Sequence, residues 1–216
     1  MIRIHTFTFN PFQENTYVLY NEQKHCIIVD AGCYFEEEKN QLFNFIQQNN
    51  LQPILLLNTH AHLDHVFGLK FLKEKFPNVP FTLHERELPV LHSAPVVSAK
   101  YGVPCDVPPT PDYFIDEKSE VKLGDEKIKI LFTPGHSPGS LSFYFEEEKF
   151  VLSGDALFQQ SIGRTDLPGG DFSTLVQSIH DKLFSLPDET QVYSGHGSVT
   201  TIGEEKNFNP FVGKNA

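Results

Sequence analysis

The chain has 216 residues, 39% of them hydrophobic and 21% charged, the composition of one ordinary globular domain and not of a disordered segment. Its formal net charge is −11 and no basic stretch stands out, which argues against a nucleic-acid backbone as the main partner. The three cysteines, Cys26, Cys33 and Cys105, are odd in number and form no CxxC pair, so a disulfide framework is not expected and a reducing compartment is.

The N-terminal stretch Met1 to Phe9 alternates as a strand does and lacks the apolar core of a signal peptide. No apolar run approaches the roughly eighteen residues of a membrane span, so a cytoplasmic protein without a membrane partner is expected. Strands follow at Tyr17–Tyr20 and Cys26–Val29, then a helix over about Phe35–Gln48, where Leu42, Phe45, Ile46 and Asn49 recur at helical spacing. The short apolar run Pro53–Asn58 reads as a strand buried on both faces. A second helix carries Val66, Leu69, Leu72 and Phe76 on one face and stops at Pro77. Phe81–His84 is another strand. From about His92 to Asp112 the chain is rich in proline without clear periodicity, and an irregular loop is expected. Strands return at Ile128–Phe132, Leu141–Phe145 and Phe150–Leu152, with turns at Gly124-Asp125 and around Glu147. A helix over about Thr174–Leu186 and a strand at Gln191–Tyr193 complete the pattern. With no internal repeat and no dividing linker, residues 1–216 read as a single α/β domain, two sheets flanked by helices.

The stretch "THAHLDH" places His60, His62, Asp64 and His65 within six positions directly after a buried strand. Its bland reading is a polar loop with exposed histidines. Three later segments share the same layout, a glycine-rich turn past a strand with one ligand-type residue: "TPGHSPG" with His136, "SGDALF" with Asp155 and "YSGHGSVT" with His196. Strand ends bring such turns together at one sheet edge. Five histidines and two aspartates are too many for one tetrahedral ion and suit two. Without cysteine in the set, imidazole and carboxylate suit zinc, iron or manganese. Two cations about 3.5–4 Å apart can share a water and lower its pKa toward neutrality.

This pattern resembles the metallo-β-lactamase superfamily along the whole chain. Through "TPGHSPGSLSFY", "GDALF", "SIGRTDLPGGD" and "SGHG" it looks most like the small bacterial glyoxalase II-like (hydroxyacylglutathione hydrolase-like) enzymes. The resemblance implies a four-layer αββα sandwich, the metallo-β-lactamase fold. It also implies two divalent metal ions, zinc first among the candidates: one on His60, His62 and His136, the other on Asp64, His65 and His196, with Asp155 bridging. Asp64 and Asp155 then belong to the catalytic centre. The activity implied is cleavage of a thioester or ester by a hydroxide held between the metals, on a small-molecule substrate such as a glutathione thioester. Arg164 is the candidate for a substrate carboxylate, and a structural pair with Asp166 or Asp171 is its alternative. Other readings on the same fold are a mononuclear iron persulfide dioxygenase, whose members also carry "GRTD", and a lactonase or β-lactamase.

Three departures bear on glutathione. Where glutathione-specific glyoxalase II has an aromatic residue two places after the basic one, this chain has Asp166. "HGSVT" lacks the tyrosine expected soon after the last histidine, and a helical C-terminal domain is not expected in the roughly twenty residues past His196. Among supporting residues, Thr59, Ser194 and Asp30 are candidates to hydrogen-bond ligand residues. Cys33 is a semi-buried loop thiol with no activating base in its flanks. His5, His25, His84, His92 and His180 read as ordinary surface or core histidines.

Overall fold

A computed structural model describes residues 1–214 and Ala216. The chain forms two compact units, residues 1–115 with 122–126, and residues 116–121 with 127–216.

The first unit is built on a six-stranded sheet ordered β1-β2-β3-β4-β5-β6: β1 Arg3–Phe9, β2 Glu14–Tyr20, β3 His25–Val29, β4 Gln52–Leu57, β5 Phe81–Leu83 and β6 Tyr113–Phe114. β1 to β3 run antiparallel as a meander, and β3 to β6 are joined in parallel. Parallel neighbours need a crossover, and helices supply it here. α1 (Glu36–Gln48) connects β3 to β4, and α2 (Leu69–Lys75) lies between β4 and β5. The N-terminus of α1 is closed by Glu38, whose carboxylate accepts from the backbone N–H of Tyr34 (2.8 Å) and Phe35 (3.1 Å). Leu42 and Ile46 of α1 and Leu69 and Leu72 of α2 pack with Ile28, Leu56, Phe81 and Leu83 of the sheet.

One expectation is corrected here. The segment from His92 is not irregular at its start: α3 spans Leu88–Tyr101, with Pro95 inside it. Pro89 sits in the first turn, where its missing N–H costs nothing. Leu91, Ala94 and Ser98 form the buried face, and the helix stops at Gly102 in the left-handed conformation (φ +66°). Only the stretch after Gly102 lacks regular structure before β6. The second predicted helix also starts later than expected, because residues 63–65 form a separate 3₁₀ turn.

The second unit holds a sheet ordered β14-β13-β10-β9-β8-β7: β7 Val121–Leu123, β8 Glu126–Phe132, β9 Leu141–Phe145, β10 Phe150–Gly154, β13 Gln191–Ser194 and β14 Thr200–Thr201. β11 (Leu157–Phe158) and β12 (Ser161–Ile162) make a small separate hairpin. α4 (Phe172–Ser178) continues as a π-helical turn to Leu183, so the predicted helix is present with a widened second half. α5 (Ile202–Phe208) was not expected from the sequence. Leu175, Ile179, Leu183 and Ile202 pack against Tyr144, Val151 and Val192.

All three cysteines are free. Burial pushes the thiols of Cys26 and Cys33 up to about 12, so neither is a nucleophile near neutrality. At pH 8, iodoacetamide should modify half-buried Cys105 first, with Cys26 and Cys33 reacting only after unfolding. Peptide mass spectrometry over a time course reads the order, and early labelling of Cys33 would contradict it. Among the described residues no helix is long and apolar enough to cross a membrane.

Candidate metal centre

Each unit carries its own set of ligand-type side chains at the C-terminal ends of its strands. In the first unit the parallel pair β3 and β4 ends in register, Val29 opposite Leu57. The next residues, Asp30 and Asn58 to His65, therefore emerge side by side. Asn58 is fully buried, and its amide donates to the carbonyls of His60 (3.1 Å) and His65 (2.9 Å), folding the loop back on itself. Ala61 and Leu63 point into the core. His60 and His65 are fully buried, while His62 and the Asp64 side chain (16% exposed) reach toward the surface. The rings of His60 and His65 are 4.1 Å apart by centroids, and those of His60 and His62 4.8 Å.

Asp30 is the hub of this set. It sits in the left-handed region (φ +51°), which aspartate tolerates better than most residues. One carboxylate oxygen accepts the Thr59 N–H at 2.7 Å, and the other accepts the Thr59 hydroxyl at 2.6 Å and faces His65 Nδ1 at 3.1 Å. The consequence is a fixed tautomer at His60. His65 Nδ1 lies 3.1 Å from Asp30 Oδ2, and its Nε2 lies 3.7 Å from Asp64 Oδ2. The Thr59 hydroxyl, its proton committed to Asp30, can only accept from His60 Nδ1 at 3.0 Å, so His60 presents Nε2. One ligand atom from each of Asp30, His60 and His65 falls within 4.8 Å of the others.

Further buried polar groups hold the loop. Glu87, at the start of α3, accepts the Ala61 N–H at 2.8 Å. Asn10 (φ +56°) donates its amide to the carbonyls of Gly32 (2.9 Å) and Asp64 (3.0 Å). Glu14 lies 3.9 Å from His65 Nδ1 and accepts from Thr16. Full burial pushes its carboxyl well above the usual range, against the opposing pull of His65. None of these three residues was singled out by the sequence.

In the second unit, β8 and β10 both run antiparallel to β9, and β13 runs parallel to β10. β8, β10 and β13 therefore share one direction, and their C-terminal ends share one edge. His136, Asp155 and His196 follow those three ends, which is why residues sixty positions apart meet. Asp155 Oδ2 lies 3.5 Å from Nε2 of His136 and 3.5 Å from Nε2 of His196. His136 Nδ1 faces the Arg164 carbonyl at 2.7 Å, so it carries the proton and Nε2 is again the free-pair atom. His196 is set by its backbone, whose carbonyl accepts the Ser194 hydroxyl at 2.7 Å. Gly163 lets the Arg164 segment pass this close: a Cβ there would run into the Asp155 carbonyl and come within 3.0 Å of His136 Nδ1.

Arg164 itself is engaged. Its Nε and Nη2 each donate at 2.7 Å to the two carboxylate oxygens of Asp166. That fork holds the Asp166 carboxyl down at about 2.

The donor chemistry fits borderline divalent cations. Two imidazoles, His60 and His136, are locked with Nε2 outward by hydrogen bonds at Nδ1, and the remaining donors are imidazole and carboxylate. The comparisons with known proteins agree. The chain is 37% identical over 212 residues to hydroxyacylglutathione hydrolase GloC of Haemophilus influenzae, covering 98% of each protein. It superposes on BLEG-1 B3 metallo-beta-lactamase with a TM-score of 0.88 at 39% identity, covering 98% of this chain and 99% of that one. TTHA1623 in a di-iron-bound form gives a TM-score of 0.86 at 38% identity, covering 96% and 99%. The metallo-beta-lactamase superfamily model matches residues 9–196. The chain belongs to the metallo-β-lactamase superfamily and has its fold.

Proposed function

We propose that this protein is a binuclear metal-dependent hydrolase of thioesters or related esters, of the glyoxalase II type, acting on a small-molecule substrate in the cytoplasm. The observation that carries the reading is the Asp155 oxygen lying 3.5 Å from Nε2 of both His136 and His196. One carboxylate set equally between two imidazoles suits a bridge between two cations. In this reading His60, His62 and His136 hold one ion, Asp64, His65 and His196 hold the other, and Asp155 joins them. Zinc is the proposed metal, with iron the alternative that the di-iron form of TTHA1623 suggests.

When bound, such a pair supplies a water acidified toward neutrality and an electrophile for the scissile carbonyl. The chain's own residues prepare that chemistry. The Arg164 carbonyl holds the Nδ1 proton of His136, which leaves Nε2 to face a cation, and Asp30 lies beside the His65 ring at 3.1 Å. Asp64 and Asp155 bring the negative charge that offsets repulsion between cations. GloC, a hydroxyacylglutathione hydrolase by name, supports a thioester as the substrate class.

The test is thiol release from S-lactoylglutathione by the metal-loaded protein, with oxygen uptake on glutathione persulfide and turnover of a β-lactam measured on the same sample. Thioester turnover well above either of the others is the expected result. Oxygen uptake without thiol release would move the protein to the dioxygenase class, and β-lactam turnover alone would move it to the lactam class.

A further inference from the structure

The loop after β12 carries a charge pair that the proposed reaction leaves unused. Arg164 and Asp166 are both well exposed, 55% and 67% by side chain, so bulk solutes can reach the pair. Their contact is the two-point fork that a guanidinium makes with a carboxylate, at 2.7 Å on both arms. The backbone carbonyl of the same arginine holds His136 Nδ1. The arginine's backbone is thereby fixed beside a proposed metal ligand, and its side chain leaves from that point. In a chain of net charge −11, a cation held at such a place is a natural contact for an anionic substrate, yet this edge of it is already filled from within.

We propose that Asp166 is a built-in competitor for the Arg164 guanidinium, and so a specificity-determining residue. A substrate carboxylate gains the fork only by displacing the Asp166 carboxylate, and the site thereby favours thioesters whose far end is uncharged over those that end in a carboxylate. This inference rests on the proposed thioester chemistry for its substrate class, but the fork itself does not depend on turnover. An exposed ion pair contributes little to stability, so the competition is mild. Removing it should shift affinity by about fivefold, the equivalent of the upper end for such pairs.

The experiment compares the metal-loaded wild-type protein with Asp166→Asn and Arg164→Ala. Calorimetric binding of S-hexylglutathione, a carboxylate-bearing thioether that cannot be hydrolysed, is the first readout. The second is the ratio of kcat/KM for S-lactoylglutathione to that for the uncharged thioester S-acetyl-N-acetylcysteamine. Asp166→Asn should bind the thioether about fivefold more tightly and raise the ratio by a similar factor. Arg164→Ala should lower both, and adding Asp166→Asn to it should restore neither. Metal content equal to wild type in each variant separates this from damage at His136. Unchanged or weaker thioether binding in Asp166→Asn, including no binding by either protein, overturns the proposal. Tighter binding with no thioester turnover in any variant would sustain the competitor and reject the hydrolase reading, so the two fail separately.

Discussion

Asp155→Ala is expected to lower turnover by about a thousandfold or more while leaving the fold in place. Loss of an outer partner of a metal ligand costs about 10–100-fold, and the bridging ligand itself must exceed that. The side chain is 10% exposed and sits at a strand end, not in the packed layer of Leu175, Ile179 and Val192. Removing it takes away the one carboxylate held between His136 and His196. The circular dichroism spectrum should match wild type, and metal content after dialysis should fall. A variant with near-normal activity would remove Asp155 from the centre.

The second large effect is expected at a residue that touches no substrate. Asp30 accepts two hydrogen bonds while 1% exposed, both from Thr59, and one of its oxygens lies 3.1 Å from His65 Nδ1. Asp30→Asn keeps the shape and tolerates the left-handed backbone, but an amide has one acceptor oxygen. Whichever way it turns, its NH₂ meets either the Thr59 N–H or the Thr59 hydroxyl. Each stranded donor costs about 1–3 kcal/mol. Loss of the Thr59 anchor frees the His60 tautomer and should weaken metal binding about 10–100-fold. Chemical denaturation and metal titration read the two losses separately. Wild-type values in both would show that Asp30 does not set His60.

How far the sequence discloses this arrangement depends on the kind of signal. The central strands were legible because runs such as Cys26–Val29 and Pro53–Asn58 are continuous and apolar, but the second is buried on both faces only from Leu55 onward, with Ile54 exposed. His60, His62, Asp64 and His65 were legible because they crowd one loop, and His136, Asp155 and His196 because each follows a strand into a glycine-rich turn. Asp30 and Thr59 were legible as candidates only, since nothing local says that one carboxylate meets Thr59 and faces His65. Glu14, Asn58 and Glu87 were invisible: a single polar residue in a strand or at a helix start has no pattern until the sheet order places it under the loop. α3 was hidden by Pro89 and Pro95 and by a buried face of Leu91, Ala94 and Ser98, too small in two of its three positions to register as hydrophobic periodicity. α5 and the β11–β12 hairpin are too short to carry a period, and α5 is held instead by Glu205, which accepts from Thr200, Gln160 and Asn209.

The pairing of Arg164 with Asp166 shows the same boundary. Spacing offered Asp166 and Asp171 equally, but Asp171 caps α4 by accepting the Thr174 N–H at 2.7 Å, which leaves Asp166 for the arginine. Helix capping decided a question that charge alone left open.

The proposed metal chemistry is the point most open to test. Elemental analysis of the protein purified without added metal tests it most directly, with thiol release from S-lactoylglutathione assayed on the same sample. The account predicts close to two zinc or iron ions per chain and activity that rises in step with occupancy. Full activity at one ion per chain, or in protein stripped of metal, would contradict it.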